Sequence, residues 1–505
     1  MEAKVIFPKE LQFQREDQGG VNGVSAITNT NNKNANYSAF LVHNYFTDNE
    51  ISFNTQVGAT NEQFSRNTVS VVASDLIASE TNVDQGANQN VNQNRLEQED
   101  MGFFVQETVN YQDKLIGTLG LRGDKSTNNG DINQFFYYPK ASLAANLNNF
   151  DFWNEESFLN RLKLRAAYGE AGTFAAFGSL YTVYQSTLVD GSVGIVVPIT
   201  QGNPEITPER QKELEVGFDL GILDERLGLE FTWYQKRVDD LLLLANTEPS
   251  SGFTTKWENA GELQNRGVEI ALNAAIINKE DFSWDATLNW WKNTSEMLRM
   301  DIPAYNTGGF GTSLGTFRIE EGKSVTQIVG NNVDGDLVQL GDAEPDFQTS
   351  LMNNINYKDF SLSFLWHWKK GGDNVNLTKL LSDFGGTSAD YDEISIDPDG
   401  QIPNGEYRVN NGIFAGNATP FVEDASYLRL KNVKLAYNIP VQSIKPALAA
   451  LQVYISAQNV FTVTDFPGLD PDVNTRGGTG DLRIGIAQTS YPSSRTITLG
   501  MNLKL

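Results

Sequence analysis

The sequence predicts an all-β fold, a transmembrane antiparallel β-barrel, on three observations. Segment after segment alternates apolar and polar residues, making strands with one apolar and one polar face. Many of these segments run past ten residues, whereas strands in soluble sandwiches are usually about 5–6 residues long. Short turns alternate with long loops, the pattern of a barrel with short periplasmic turns and long extracellular loops. The closing segment shows the alternation plainly: Ile497, Leu499, Met501, Leu503 and Leu505 on one side, Thr496, Thr498, Gly500, Asn502 and Lys504 on the other. In a membrane the first set faces lipid and the second a wet lumen.

From the amino end, Lys4 to Gln14 reads as the tail of a preceding strand, followed by a Gly/Asn-rich loop from Gly19-Gly20 through Asn31-Asn32-Lys33-Asn34. Asn36–Thr47 and Ile51–Val72 pair around Asp48-Asn49-Glu50, residues that suit a tight turn. Thr81–Asp100 is predicted as a mobile loop, because Asn88-Gln89-Asn90-Val91-Asn92-Gln93-Asn94 cannot bury a core. Strands follow at Met101–Tyr111, Leu115–Ser126 and Phe135–Asn148, then a short helix over Phe150–Asn160 and a strand at Arg161–Thr173. Beyond the long connection 174–210, Leu214, Val216, Phe218 and Leu220 alternate with Glu215, Gly217 and Asp219. The same rhythm returns at Leu227–Tyr234, Val268–Asn273, Phe282–Trp290, Asp346–Tyr357, Phe360–Lys370 and Leu451–Gln458. Tyr427–Ile439 changes phase near Lys431, which predicts a bulge or bend. Trp233, Trp290, Trp366, Trp368 and Tyr437 suit interfacial girdles.

Composition excludes several functions. With 63 acidic against 38 basic residues and a net charge of −25, no nucleic-acid partner is expected. No cysteine is present, and the two histidines, His43 and His367, sit in strand-like stretches, which disfavours His-rich metal sites and Ser-His triads. No apolar run reaches the ~18 residues of a helical span, and no apolar signal core follows Met1. Asp397-Pro398-Asp399-Gly400 begins like a calcium loop, but the twelfth position is Arg408 where a carboxylate is required, so a surface turn is expected. Glu213/Glu215 and Asp239/Asp240 read as lumen or loop charge, not as a glycosidase pair. No catalytic residue, metal ligand or cofactor is predicted, and the protein is not expected to be an enzyme.

The long loops carry aromatics among Gly, Ser and Asn, and the candidate ligand-binding residues are Tyr181, Tyr184, Trp257, Tyr305, Phe310 and Tyr391. Aromatic faces stack on sugar rings while amides and carboxylates bind hydroxyls, which points to glycans; the same loops suit a peptide. A soluble β-rich glycan-binding or adhesion protein is the alternative. The absence of a fixed repeat argues against its solenoid form.

An ordered set of motifs resembles the SusC/RagA-like TonB-dependent outer-membrane transporters. Phe136-Tyr137-Tyr138-Pro139-Lys140-Ala141-Ser142-Leu143-Ala144 is similar to that family's YFPSVSLAW strand, and Leu162-Lys163-Leu164-Arg165-Ala166-Ala167-Tyr168-Gly169 to its LKLRASYG. Gly202-Asn203-Pro204, Asn265-Arg266-Gly267-Val268-Glu269, Val422 to Asn432 and Ser456 to Thr462 resemble further family motifs in the same order. The resemblance implies an outer-membrane importer of a large nutrient, an oligosaccharide above all. It also implies a SusD-like lipoprotein lid and energy from TonB. About fifteen full strands are counted, against roughly 22 in transporters of this plugged type. The expectation is therefore that residues 1–505 form the carboxyl-terminal part of a barrel in the bacterial outer membrane, without plug domain or signal sequence.

Overall fold

The computed structural model describes residues 2–7, 23–76, 81–154, 157–189, 192–440, 449–472, 485–487 and 492–504. Most of them lie in one antiparallel sheet. Its strands are β1 (Glu2–Phe7), β2 (Val24–Phe46), β3 (Ile51–Leu76), β4 (Gly86–Tyr111), β5 (Leu115–Ser126), β6 (Phe136–Asn146), β7 (Leu159–Thr173) and β8 (Glu209–Ile222). They continue as β9 (Leu227–Asn246), β10 (Thr255–Lys279), β11 (Phe282–Met300), β12 (Pro345–Tyr357), β13 (Phe360–Gly371), β14 (Tyr427–Ile439), β15 (Ala450–Val463) and β16 (Thr496–Lys504). Each pairs with its neighbours in chain order. Setting aside six-residue β1 and a two-residue addition at Thr200–Gln201, fifteen strands remain, as the alternation predicts. Among the described residues no pairing joins β16 to β1, so the sheet is not closed.

Register shows why the alternation matters, because directly opposed residues share a face. One apolar row runs Leu162–Leu220–Leu229–Leu272–Leu288–Leu351–Trp366–Leu430–Phe461 across nine strands. One residue along each strand, the opposite face reads Lys163–Asp219–Glu230–Ala271–Asn289–Ser350–His367–Arg429–Thr462. The first face suits hydrocarbon and the second water. Aromatic pairs bound the apolar face: Phe282–Tyr357 and Phe360–Tyr437 near the short turns, Trp290–Phe347, Phe347–Trp368 and Trp366–Phe461 towards the long loops. From Phe360 to Trp368 is about 26 Å along the strand and about 20 Å along the membrane normal at a tilt of ~40°, close to the roughly 25 Å apolar band of outer-membrane barrels.

The short turns fall where the sequence places them. In the three-residue connection between Tyr111 and Leu115, Gln112 and Asp113 both take left-handed backbone (φ 53° and 51°), inside a β-turn closed by the Lys114 N–H on the Tyr111 carbonyl (2.8 Å). The phase change near Lys431 is a register shift between Leu430 and Asn432.

Two expected loops are strand instead. Asn31–Asn34 lie within β2, opposite Asn67 to Phe64 of β3, and most of the stretch expected as a loop over Thr81–Asp100 lies within β4. Composition spoke only to burial. Above the membrane both faces are wet, and polar side chains pair across the strands, as in Arg66 to Asn32 (3.1 Å) and Asn61 to Glu99 (2.7 Å). The helix expected over Phe150–Asn160 is replaced, among the described residues, by a 3-10 turn at Leu147–Asn149 and further turns. Asparagines there bind backbone instead: the Asn146 and Asn149 amides donate to the Asp113 carbonyl. Gly19-Gly20, residues 8–14 of the expected tail, and Leu505 lie outside the described residues.

Candidate functional site

The long loops build a roof over one end of the sheet. Four short strands (Tyr305–Thr307, Thr316–Ile319, Gln327–Asn331, Leu337–Asp342) form one antiparallel sheet; Asp373–Asn376, paired antiparallel with Val422–Asp424 and parallel with Ile486–Ala487, forms a mixed one. Phe317, Ile328, Ala343, Val375 and Ile486 bury a core drawn from three separate connections. A second core joins Leu314, Leu380 and Phe421. Helix α1 (Leu377–Phe384) starts where the Asn376 side chain accepts from the Lys379 N–H (2.9 Å). Its far end is held by Arg408, 2% exposed, which donates to Asp383 (2.6 and 2.8 Å) and Asp390 (2.7 and 2.8 Å). The hydrogen-bonded Arg408 guanidinium holds the Asp390 carboxyl below its ordinary range.

Beneath the roof the inner wall is polar. A hollow of about 500 Å³ is lined by Arg165, Glu230, Thr232, Glu269, Asn289, Trp291 and Ser350, and Arg165 is bound to Asp219 at 3.0 Å. A neighbouring hollow of about 340 Å³ brings Lys140, Ser142, Glu213 and Glu215 together. Further round the wall, Tyr427 meets His367 (3.0 Å), and Arg429 stacks over the Tyr427 ring. Arg429 also binds Asp470 and Asp472, which clamps the loop after β15 onto the wall.

The aromatics singled out in the sequence separate into two groups. Tyr181 and Tyr184 are exposed, at 64% and 61%. Trp257 lies on β10 opposite Leu244, not in a loop, and its carbonyl accepts from the Asn203 amide (2.8 Å). Tyr305 is half-buried opposite Ile319, and burial pushes its phenol up. Phe310 packs against both roof cores. The Tyr391 ring lies against Gly405, where an added Cβ would come within 1.9 Å of it. The acidic turn at Asp397 directs its carboxylate to the backbone N–H groups of Asp399, Gln401 and Ile402. Sequence reasoning passed over Trp291 and Arg429. Both stand in the polar phase of their strands, and a large aromatic in that phase is the signal that marks Trp291.

An apolar outer belt between aromatic girdles, a polar inner wall and a loop-built roof define an outer-membrane β-barrel protein. Residues 9–460 match the family described as TonB dependent receptor-like, beta-barrel, and the chain belongs to that family. It is 28% identical over 465 residues to TonB-dependent receptor P3 of Formosa agariphila, covering 81% of this chain and 46% of that protein. It is 22% identical over 459 residues to TonB-dependent receptor SusC of Bacteroides thetaiotaomicron, covering 80% and 43%. A solved RagAB peptide transporter shares the fold with a TM-score of 0.78 at 18% identity, over 95% of this chain and 56% of that one. The chain thus spans about half the length of the curated relatives it matches. It is an outer-membrane protein, similar in sequence to SusC and in fold to the RagAB structure.

Proposed function

We propose that this chain is the carboxyl-terminal part of the barrel wall and the roof of a TonB-dependent importer. Its remaining strands and plug would lie outside residues 1–505. The imported nutrient is a neutral oligosaccharide, lidded by a SusD-like lipoprotein, and the intact transporter draws energy from TonB. The observation that carries this reading is the inner-wall hollow, where Trp291 offers a stacking face among Glu230, Glu269, Asn289 and Ser350, all able to bind hydroxyls. Tyr181 and Tyr184 offer further exposed rings at the mouth. Carboxylates on the same wall disfavour acidic cargo. The test is calorimetric titration of the purified chain with neutral oligosaccharides and, separately, tripeptides. Trp291→Ala is expected to weaken sugar binding roughly tenfold, about 1.4 kcal/mol, and the Tyr181→Ala/Tyr184→Ala pair less. Peptide binding without sugar binding would favour the second reading, peptide import, which the RagAB likeness suggests. Sugar binding untouched by Trp291→Ala would move the site elsewhere.

A further inference from the structure

β3 and β4 are 26 residues long, β5 only 12. β5 pairs with β4 from Asp100 to Tyr111, so β4 rises beyond it with β3 alone at its side. The Thr127 N–H donates to the Glu99 carbonyl (3.0 Å), which fixes which residues of β4 turn their backbone towards the β5 side. In an antiparallel strand both backbone groups of a residue point the same way, and the direction alternates. Ala87, Gln89, Val91, Gln93, Arg95 and Glu97 therefore present their N–H and C=O groups along an edge that no described strand covers. The residues from Ala87 to Arg95 are exposed.

Natural edges are blunted by charge, proline, bulges or a covering segment. This one is not. Gly86–Asn94 carries no charge and no proline in a chain of net charge −25, and the β3–β4 register runs without a shift from Asn88 to Tyr111. The edge also continues the line of β5, so an added strand would extend an existing ladder upward.

We infer that the upper edge of β4 accepts a strand from a separate cell-surface protein, an uncharged strand held by backbone pairing. From Ala87 to Gln93 the uncharged part of the edge extends about 20 Å. It offers mainly backbone groups and amide side chains. A free peptide must lose its chain entropy to lie along such a surface, whereas a folded partner brings a strand already extended.

The test uses the full chain, in detergent, with two probes of one Thr/Val sequence: a disulfide-cyclised hairpin and its linear peptide. By hydrogen exchange, the amides of Gln89, Val91 and Gln93 exchange fast in the protein alone, while those of Asn90 and Asn92, paired to β3, stay protected. The hairpin slows the first set at least about tenfold and binds at least about tenfold tighter than the linear peptide. Gln89→Pro/Gln93→Pro removes two edge donors and abolishes the protection at Val91, the edge amide that remains to report it, since proline is tolerated on an edge. Val91→Lys, a change that leaves the backbone intact, weakens it. Equal hairpin binding to the proline variant, edge amides already protected by self-association, or equal binding of the linear peptide would each overturn the inference.

Discussion

The wall and the roof obey opposite rules. In the wall the large apolar side chains are on the outside: Leu499 is 79% exposed and Leu119 68%. In the roof they are inside, with Phe421, Ile328 and Val375 fully buried. The wall's order comes from the hydrogen-bonded ladder and, on its outer face, from lipid; the roof's comes from ordinary packing. Charge is handled differently too. Arg165 and Asp219 meet on a wet inner face, both still partly exposed, whereas Arg408 and Asp383 are at 2% and 0%. A ladder tolerates solvent around such a pair, but a core does not.

The largest expected effect separates the two regions. Arg408→Ala leaves Asp383 buried without its partner and should destabilise the roof by about 3–5 kcal/mol. Limited proteolysis would then cut within 377–421 while the wall keeps its heat-modifiable gel migration. Loss of both together would mean that the regions are one cooperative unit. Leu351→Arg, on the outer apolar row, breaks the comparison from the other side. It should cost about 2–4 kcal/mol in lipid refolding and leave roof protease resistance unchanged once inserted. Asn376→Ala tests a smaller part, the start of α1, at about 1 kcal/mol. Faster amide exchange confined to the first turn of α1 would show it.

The wall was legible in the sequence because one periodicity carries it. Leu214 to Leu220 or Phe282 to Trp290 need only their alternation to be placed as strands, and Lys431 betrays its bulge by breaking the phase. The tall parts of β2–β4 were hidden because nothing above the membrane demands an apolar face, so Asn88 to Asn94 carry no period to detect. The roof was hidden for another reason. Its strands are two to six residues long, and its cores join Phe317, Val375 and Ile486 from three connections. Contacts of that kind leave no local pattern. Phe310 and Tyr391 stood out as aromatics in polar loops, yet the structure packs them against a roof core and Gly405 respectively.

The smallest expected effect is a pH dependence confined to the roof. Asp390 has its pKa depressed in the folded protein, chiefly by its hydrogen bonds from Arg408. A depressed carboxyl stabilises the fold above its unfolded value, about 3.9, and that contribution fades as pH falls through the lower folded value. The roof should therefore loosen progressively below about pH 4, and neutral or alkaline conditions should not touch this term. Asp390 is 38% exposed, so solvent screens the pair and the effect should be modest. Hydrogen exchange at residues 383–408, followed from pH 6 to pH 3 after correction for intrinsic rates, measures it. Asp390→Asn removes the titrating group while leaving the Arg408–Asp383 bonds in place, and should flatten that profile. An unflattened profile would assign the acid response to other carboxyls and leave Arg408 anchored by Asp383 alone.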